Sequence, residues 1–270
     1  MSERTLTLAP YKVRVSDSHA DAEAPDDGGP PLLLVNGIGA NLEMWEPLRR
    51  RLSRRTIALD LPGTGGSSTP LLPLSIPDTA RLLLRVLDDL GIDTVDVLGF
   101  SFGGSVAQEL AHLAPSRVRR LVLVATSCGW GSVPGSPLAL AVLSNPLRYY
   151  SPSFFKSVAP VLVGGRGARN ERFLDRQARK RAARPPSAVG YWYQLYAAST
   201  WSSWPWLHTL RQPTLVLTGD RDQVVPAVNA RMIAWAMPSA RLRTWKGGGH
   251  MLLLDSASRV APEIEEFLAA

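Results

Sequence analysis

A serine between two glycines forms a five-residue pattern that favours nucleophilic chemistry. Gly-Phe-Ser-Phe-Gly occupies residues 99–103, after an apolar run over 94–98 and at the start of a helical pattern over 101–113. A strand, a sharp turn and a helix in that order expose the serine hydroxyl at the tip of the turn. Flanking glycines suit such a strained turn because they carry no Cβ atom. We therefore predict that Ser101 is a nucleophile.

A serine hydroxyl is a weak nucleophile at neutral pH and requires a base to accept its proton. Three of the four histidines have ordinary surroundings: His19 lies in a polar loop, His112 on the helix after Ser101, and His208 behind a Trp-rich stretch. His250 instead follows three glycines and an apparent strand over 241–245. Because a glycine run can bend sharply, the imidazole can reach back over the strand ends. We predict that His250 is the base.

The base requires a carboxylate that orients it and stabilises its positive charge. Asp220 and Asp222 both follow the apolar run over 214–218, between the serine and the histidine in the chain. Position in the chain alone admits either aspartate.

The elements around these residues alternate between strand and helix. Short apolar runs favour parallel strands that are covered on both faces. They occur at 32–35, 56–59, 94–98, 121–125 and 214–218. Helical spacing occurs over 78–90 and 101–113. This alternation predicts an α/β fold, with a mostly parallel sheet flanked by helices.

Residues 126–210 interrupt the alternation and contain 13 of the chain's 20 aromatic residues. We predict a helical cap, or lid, over 126–210, with the core formed by 1–125 and 211–270. Some of the aromatic side chains would fill the cap and others would line a pocket. The Asp-, Ala-, Gly- and Pro-rich stretch over 16–31 predicts a mobile surface loop.

The net charge of +7 and isoelectric point near 10.0 do not indicate a nucleic-acid-binding protein. Residues 148–184 hold ten basic and two acidic residues, so the rest of the chain is close to neutral. Such a run is usually a solvated face, and no nucleic-acid-binding motif accompanies it. No phosphate loop, metal site or cofactor site is predicted. A single cysteine, the absence of a signal-like start and the absence of a long apolar run predict a cytoplasmic protein without a transmembrane segment.

With these motifs, the chain resembles the α/β-hydrolase superfamily over nearly its whole length. A closer resemblance is to the intracellular medium-chain-length polyhydroxyalkanoate depolymerases. It is carried by NGIGANLE at 36–43, GGSSTP at 65–70, YWYQL at 191–195, WSSW at 201–204 and QPTLVL at 212–217. Two departures are Phe102, where those enzymes would have tryptophan, and a longer acidic, glycine-rich loop over 17–29.

The resemblance implies roles for further residues. The spacing from Gly219 to the Val-Pro pair at 225–226 matches the acid loop of many such hydrolases, which favours Asp222 over Asp220. The backbone amides of Ile38 and Phe102 would form the oxyanion hole. Cap aromatic side chains would hold the alkyl groups of the substrate; those assigned are Trp192, Tyr193, Trp201 and Trp204.

The function implied is hydrolysis of medium-chain-length poly(3-hydroxyalkanoate) through an acyl-enzyme intermediate. The resemblance also implies a storage-granule surface as partner, which the basic side chains would contact. The same three catalytic groups would serve a small-molecule carboxylesterase, a lactonase, a carbon–carbon bond hydrolase or an acyltransferase. Dehalogenases and epoxide hydrolases are disfavoured, because their nucleophile is an aspartate. A non-catalytic ligand-binding member is also disfavoured, because such proteins commonly lose the histidine or the acid.

Overall fold

The computed structural model describes residues 2–18 and 29–270, and eight strands in this part of the chain form one sheet. The strands are β1 (Ser2–Leu8), β2 (Tyr11–Asp17), β3 (Leu32–Val35), β4 (Thr56–Leu59), β5 (Val95–Phe100), β6 (Val118–Val124), β7 (Thr214–Gly219) and β8 (Ala240–Trp245). Their order is β1-β2-β4-β3-β5-β6-β7-β8. Pairs β1/β2 and β2/β4 are antiparallel, and the other five are parallel. The predicted α/β fold is confirmed.

Helices cover both faces of the sheet. They are α1 (Glu46–Arg49), α2 (Ile76–Asp89), α3 (Phe102–Leu113), α4 (Pro137–Leu143), α5 (Leu147–Tyr150), α6 (Pro152–Leu162), α7 (Glu171–Ala183), α8 (Ala188–Thr200), α9 (Ala227–Ala236), α10 (Leu252–Asp255) and α11 (Ala257–Ala269). In β3, Leu33 packs in the apolar cluster that contains α2 and α3, whereas Leu34 packs in the cluster that contains α11. Burial on both faces explains why the central strands are apolar throughout.

The observed element bounds differ from the predicted ones by a few residues. Strands β3 and β4 have the predicted bounds, whereas β5 and β6 each begin or end outside the predicted run. The antiparallel hairpin of β1 and β2 was not predicted at all. Residues 16 and 17, assigned to a loop, belong to the end of β2. Residues 19–28 of that predicted loop, and His19 with them, lie outside the described residues.

The segment between β6 and β7 contains helices α4 to α8, which confirms a helical insertion at this place in the chain. Helices α6 and α7 supply Phe155 and Phe173 to an apolar cluster that also contains Met44 and Met251. The insertion thus packs directly on the residue that follows His250. The division into a core at 1–125 and 211–270 and a separate cap at 126–210 stays a prediction.

Candidate active site

Ser101 lies in the turn between β5 and α3 with an unusual backbone conformation, φ 55° and ψ −119°. Its N–H donates to the Val124 carbonyl at 2.9 Å. Its carbonyl accepts from the Gly104 N–H at 2.8 Å and from the Thr126 hydroxyl at 2.7 Å. A non-glycine residue with positive φ is costly and persists only where its surroundings enforce it. These three hydrogen bonds supply that enforcement.

Two glycines of the turn are required by close backbone contacts. A Cβ atom on Gly99 would lie 2.3 Å from the Gly103 carbonyl oxygen. A Cβ atom on Gly103 would lie 2.0 Å from the Val35 carbonyl oxygen, at the end of the neighbouring strand β3. The glycines of the sequence pattern therefore allow the first turn of α3 to approach the ends of β3 and β5. This approach sets the position of Ser101.

Ser101, His250 and Asp222 form a continuous chain of hydrogen bonds. His250 Nε2 lies 3.1 Å from Ser101 Oγ, and His250 Nδ1 lies 2.8 Å from Asp222 Oδ2. The other Asp222 oxygen accepts from the backbone N–H groups of Val224 and Val225, at 2.9 and 2.8 Å. With Nδ1–H donating to the carboxylate, Nε2 is free to accept the serine proton. This is the arrangement that activates a serine hydroxyl.

The second aspartate of the acid loop has a different role. Asp220 is exposed, and its Oδ1 accepts from the backbone N–H of Gly247 at 2.6 Å. Gly247 begins the glycine run before His250 and adopts a φ of +72°. Asp220 thus caps the turn that carries the imidazole, while Asp222 contacts the imidazole itself.

The loop after β3 is held in place by the helical insertion. The Tyr149 hydroxyl donates to the Ile38 carbonyl. The Gly39 N–H donates to Gln194 Oε1 at 2.8 Å, and the Gln194 amide donates to the Pro62 carbonyl at 3.2 Å. Side chains of α5 and α8 therefore hold both polar groups of the peptide unit that joins Ile38 to Gly39.

The contacts from Tyr149 and Gln194, here called the clamp, also orient the preceding peptide unit, which carries the Ile38 N–H. Asn36 braces the same loop from within, since its amide donates to the Asn41 carbonyl at 2.9 Å. Among residues 2–18 and 29–270, no protein atom accepts a hydrogen bond from the Ile38 N–H. A donor fixed beside Ser101 without a protein acceptor is suited to an oxyanion.

A cleft of about 440 Å³, including its open mouth, lies above Ser101 and His250. Its wall is mainly apolar, with Ile38, Leu143 and Leu162 among its residues. Tyr149 and two arginines, Arg148 and Arg181, also line it.

Sequence reasoning missed this wall because it assigned the pocket to other aromatic residues of the insertion. No signal in the sequence marks Arg148 and Arg181 as buried; within a basic run, they were assigned to a solvated face.

The four aromatic residues assigned to the acyl pocket do not line the Ser101 cleft. Trp201 is buried, and its indole N–H donates to Glu109 at 2.7 Å. Tyr193 lies over a separate, small cleft beside Phe102. Trp192 and Trp204 are 52% and 41% exposed.

For Trp192 the physical reason is the phase of α8. The buried positions of this helix are Gly190, Tyr191, Gln194 and Ala197, which follow helical spacing. Trp192 therefore projects from the opposite face, away from the cleft. Tyr191 reaches the interior in its place.

The part of the chain that the structure describes contains neither a metal-binding cluster nor a membrane-spanning helix. No cluster of three or more His, Cys, Asp or Glu side chains there has an arrangement suited to a metal ion. No helix in the same residues has the length and apolar character needed to cross a bilayer.

The sheet, the turn at Ser101 and the insertion after β6 together indicate one family of proteins. The family model for the alpha/beta hydrolase fold matches residues 30–257. The chain belongs to the α/β-hydrolase family.

Comparison with individual proteins narrows this class. The chain is 44% identical to a poly(3-hydroxyalkanoate) depolymerase from Ectopseudomonas oleovorans over 240 residues, which cover 88% of this chain and 84% of that protein. The chain is thus a homologue of a carboxylic ester hydrolase.

Solved structures support the same fold. The enol-lactonase from Burkholderia xenovorans LB400 superposes with a TM-score of 0.84 at 20% identity, covering 99% of this chain and 100% of that one. A thermophilic esterase from Thermogutta terrifontis gives 0.81 at 25% identity, with 100% and 98% covered.

Proposed function

We propose that this protein hydrolyses the ester bonds of medium-chain-length poly(3-hydroxyalkanoate). The observation that carries the proposal is the hydrogen-bonded chain from Ser101 through His250 to Asp222, at the base of an apolar cleft. The kinship with a poly(3-hydroxyalkanoate) depolymerase supports the polyester as substrate. A cytoplasmic location at storage granules follows from that substrate and is part of the proposal.

The first half of the reaction forms an acyl-enzyme. Ser101 Oγ attacks the ester carbonyl carbon while His250 Nε2 takes the hydroxyl proton, and Asp222 stabilises the resulting imidazolium. The N–H groups of Ile38 and Phe102 donate to the carbonyl oxygen as it becomes an oxyanion. When the tetrahedral intermediate collapses, the carbon–oxygen bond to the next monomer breaks, and His250 returns the proton to the leaving oxygen.

The second half regenerates the serine. A water molecule loses a proton to His250 and attacks the acyl carbon, and the bond from that carbon to Ser101 Oγ breaks. His250 then gives the proton back to the serine oxygen. The first half thus releases a fragment with a new hydroxyl end, and the second half releases a fragment with a new carboxyl end.

The competing small-ester and lactone hydrolysis would use the same residues, so substrate preference must be measured. Clearing of amorphous suspensions of medium-chain and short-chain polyester should be followed by turbidity, beside hydrolysis of soluble nitrophenyl esters. Selective clearing of the medium-chain suspension is the expected result. Rapid hydrolysis of soluble esters without clearing of either suspension would instead favour a small-molecule carboxylesterase.

Trp192 and Trp204 are proposed to contact the polymer outside the cleft, since both indoles are partly exposed on the insertion. Trp204 also stacks with exposed Trp235, at 6.3 Å between ring centroids. We expect Trp192→Ala and Trp204→Ala to slow clearing of the medium-chain suspension by roughly tenfold, because tryptophan dominates many contact surfaces. Hydrolysis of a soluble octanoyl ester should change far less.

The control for these variants is Leu242→Ala, a partly exposed apolar residue on edge strand β8. It should leave both rates close to those of the parent. Equal losses on suspension and soluble ester would remove the polymer-contact role of the two tryptophans.

Tyr149→Phe tests the clamp on the oxyanion loop, because it removes the hydroxyl that donates to the Ile38 carbonyl and keeps the ring. Losing a whole oxyanion donor costs about 2.7–4 kcal/mol of barrier. A displaced donor should cost less, so we expect kcat to fall about tenfold, or 1.4 kcal/mol, with little change in KM.

Tyr150→Phe provides the matched control, since that neighbouring hydroxyl donates to the Pro186 carbonyl within the insertion. It should leave kcat within about twofold of the parent. A rise in KM with unchanged kcat in Tyr149→Phe would mean that the hydroxyl serves ground-state binding, and the clamp would lose its role.

A further inference from the structure

Two buried guanidinium groups line the same cleft as Ser101. Arg148 on α5 and Arg181 on α7 are only 6% and 5% exposed. Aromatic rings surround both groups. The Arg181 guanidinium carbon lies 4.8 Å from the Tyr149 ring centroid and 4.7 Å from that of Phe155, and the Arg148 carbon lies 4.6 Å from Tyr149. The two cations thus form one positively charged wall of the cleft.

Neither cation has a carboxylate partner among the described residues 2–18 and 29–270. Arg148 Nε and Nη2 donate to the Tyr191 hydroxyl at 3.1 and 2.7 Å. By contrast, Nε and Nη1 of Arg181 are enclosed without a hydrogen-bond acceptor, and its Nη2 donates to the Met251 sulfur at 3.5 Å. A buried charge without a partner is costly, and buried cations are normally paired.

The environment of Arg181 opposes its charge. Burial lowers the pKa of the Arg181 guanidinium, and the neighbouring charge of Arg148 acts in the same direction. Arginine nevertheless keeps its proton in proteins. A purely structural role accounts for Arg148, which holds Tyr191, but leaves Arg181, whose side chain lines the cleft, without a charged partner. An anionic group of a substrate in the cleft would supply that partner.

We propose that Arg181, supported by Arg148, binds the carboxylate at the acid end of the substrate chain. The inference rests on the proposed hydrolysis at Ser101 and names the bond that is cleaved. The planar guanidinium matches a carboxylate with two parallel hydrogen bonds. The enzyme then removes the terminal hydroxy acid in preference to cutting within the polymer.

The covalent structure of the polyester allows one cleft to hold both the terminal carboxylate and the ester bond that Ser101 attacks. In the terminal unit, one ester oxygen and two carbon atoms separate the scissile carbonyl carbon from the carboxylate carbon. Because Ser101 and Arg181 line the same cleft, the cleft can hold the terminal carboxylate and the last ester bond of one chain end. The serine oxygen forms a bond to that carbonyl, the bond to the terminal unit breaks, and His250 protonates the departing oxygen to give a free 3-hydroxy acid.

The kinetic test compares two forms of one substrate, the linear dimer of 3-hydroxyoctanoic acid as the free acid and as its terminal methyl ester. The parent enzyme should hydrolyse the free acid at least tenfold more efficiently, measured as kcat/KM. Arg181→Met should reduce that ratio to near one by lowering the rate on the acid. Arg181→Lys, which keeps the charge but loses the planar pair of donors, should give an intermediate ratio.

Arg179→Met is the matched control, because Arg179 lies on the same helix and is exposed. It should leave the acid-to-ester ratio unchanged. A parent ratio of one, or an equal loss on both substrates in Arg181→Met, would overturn the carboxylate site.

Equilibrium binding gives a readout that needs no turnover. In the Ser101→Ala background, calorimetry should detect 3-hydroxyoctanoate binding at least tenfold tighter than its methyl ester. Adding Arg181→Met should abolish the difference, and the melting temperature of each variant verifies that it is folded. Equal affinity for acid and methyl ester in the Ser101→Ala protein would contradict the inference.

The same measurements separate this inference from the proposed function. Clearing of polymer suspensions without preference for the acid dimer would leave the depolymerase proposal standing and remove the carboxylate site. A strong preference for the acid dimer without clearing of any suspension would support the carboxylate site and contradict the depolymerase proposal. The protein would then be an esterase of small carboxylated substrates.

Discussion

Ser101→Ala is expected to lower kcat on the order of 10⁶-fold while leaving the fold intact. The loss is large because no covalent intermediate can form without the hydroxyl, and His250 and Asp222 then have no nucleophile to activate. The fold should survive because alanine retains the Cβ atom that serine already places in the strained turn. Initial rates on a nitrophenyl octanoate and a thermal melt measure the two effects.

Ser105→Ala provides the matched control, since Ser105 is a buried serine one turn further along α3. It should retain activity within a few-fold of the parent. A serine-reactive phosphonate should label the parent protein at Ser101, as located by mass spectrometry, and should not label Ser101→Ala. Retention of activity within tenfold by Ser101→Ala, or labelling at another residue, would end the assignment.

The central sheet was predictable because its strands carry their signal locally. Leu32–Val35 and Thr56–Leu59 are apolar at every or nearly every position, and the structure buries both faces of each. The hairpin of β1 and β2 lacks that signal, because its polar residues are paired with distant partners. Arg14, for example, lies in β2 and forms ion pairs with Glu3, Glu43 and Asp60. No local pattern in the sequence predicts such contacts.

The proposed triad was predicted from the order and spacing of the reactive residues along the chain. The glycine pattern located Ser101, and the glycine run located His250, because both turns are local backbone features. The choice between Asp220 and Asp222 required a family resemblance, since both follow the same strand. In the structure, only Asp222 of the two contacts the imidazole.

The wall of the cleft was not predictable in the same way. It depends on which face of each short helix in the insertion is turned inward, and α5 has only four residues. Arg148 and Arg181 lie in a basic run whose other members are mostly solvated, so charge patterning assigned them to the surface. Their burial depends on the rings of Tyr149, Phe155 and Tyr191, which no spacing rule connects to them.

Asp222→Asn is expected to lower kcat on the order of 10⁴-fold, although it changes only one atom. The amide oxygen can still accept from the N–H groups of Val224 and Val225, so the acid loop should keep its shape. The amide nitrogen then faces His250 Nδ1 and donates to it. That contact stabilises the tautomer with the proton on Nε2, which cannot accept the Ser101 proton.

Asp220→Asn separates this effect from the loss of a charge in the same loop. Its side-chain oxygen would still accept from the Gly247 N–H, and the exposed position leaves it solvated. We expect less than a tenfold loss in kcat for Asp220→Asn under conditions where Asp222→Asn is nearly inactive. Single-turnover hydrolysis of a nitrophenyl ester should show slowed acylation in Asp222→Asn, since proton removal from Ser101 requires an unprotonated Nε2. Deacylation should slow as well, because water gives its proton to the same atom. The opposite ranking of the two variants would mean that Asp220 orients the imidazole during turnover.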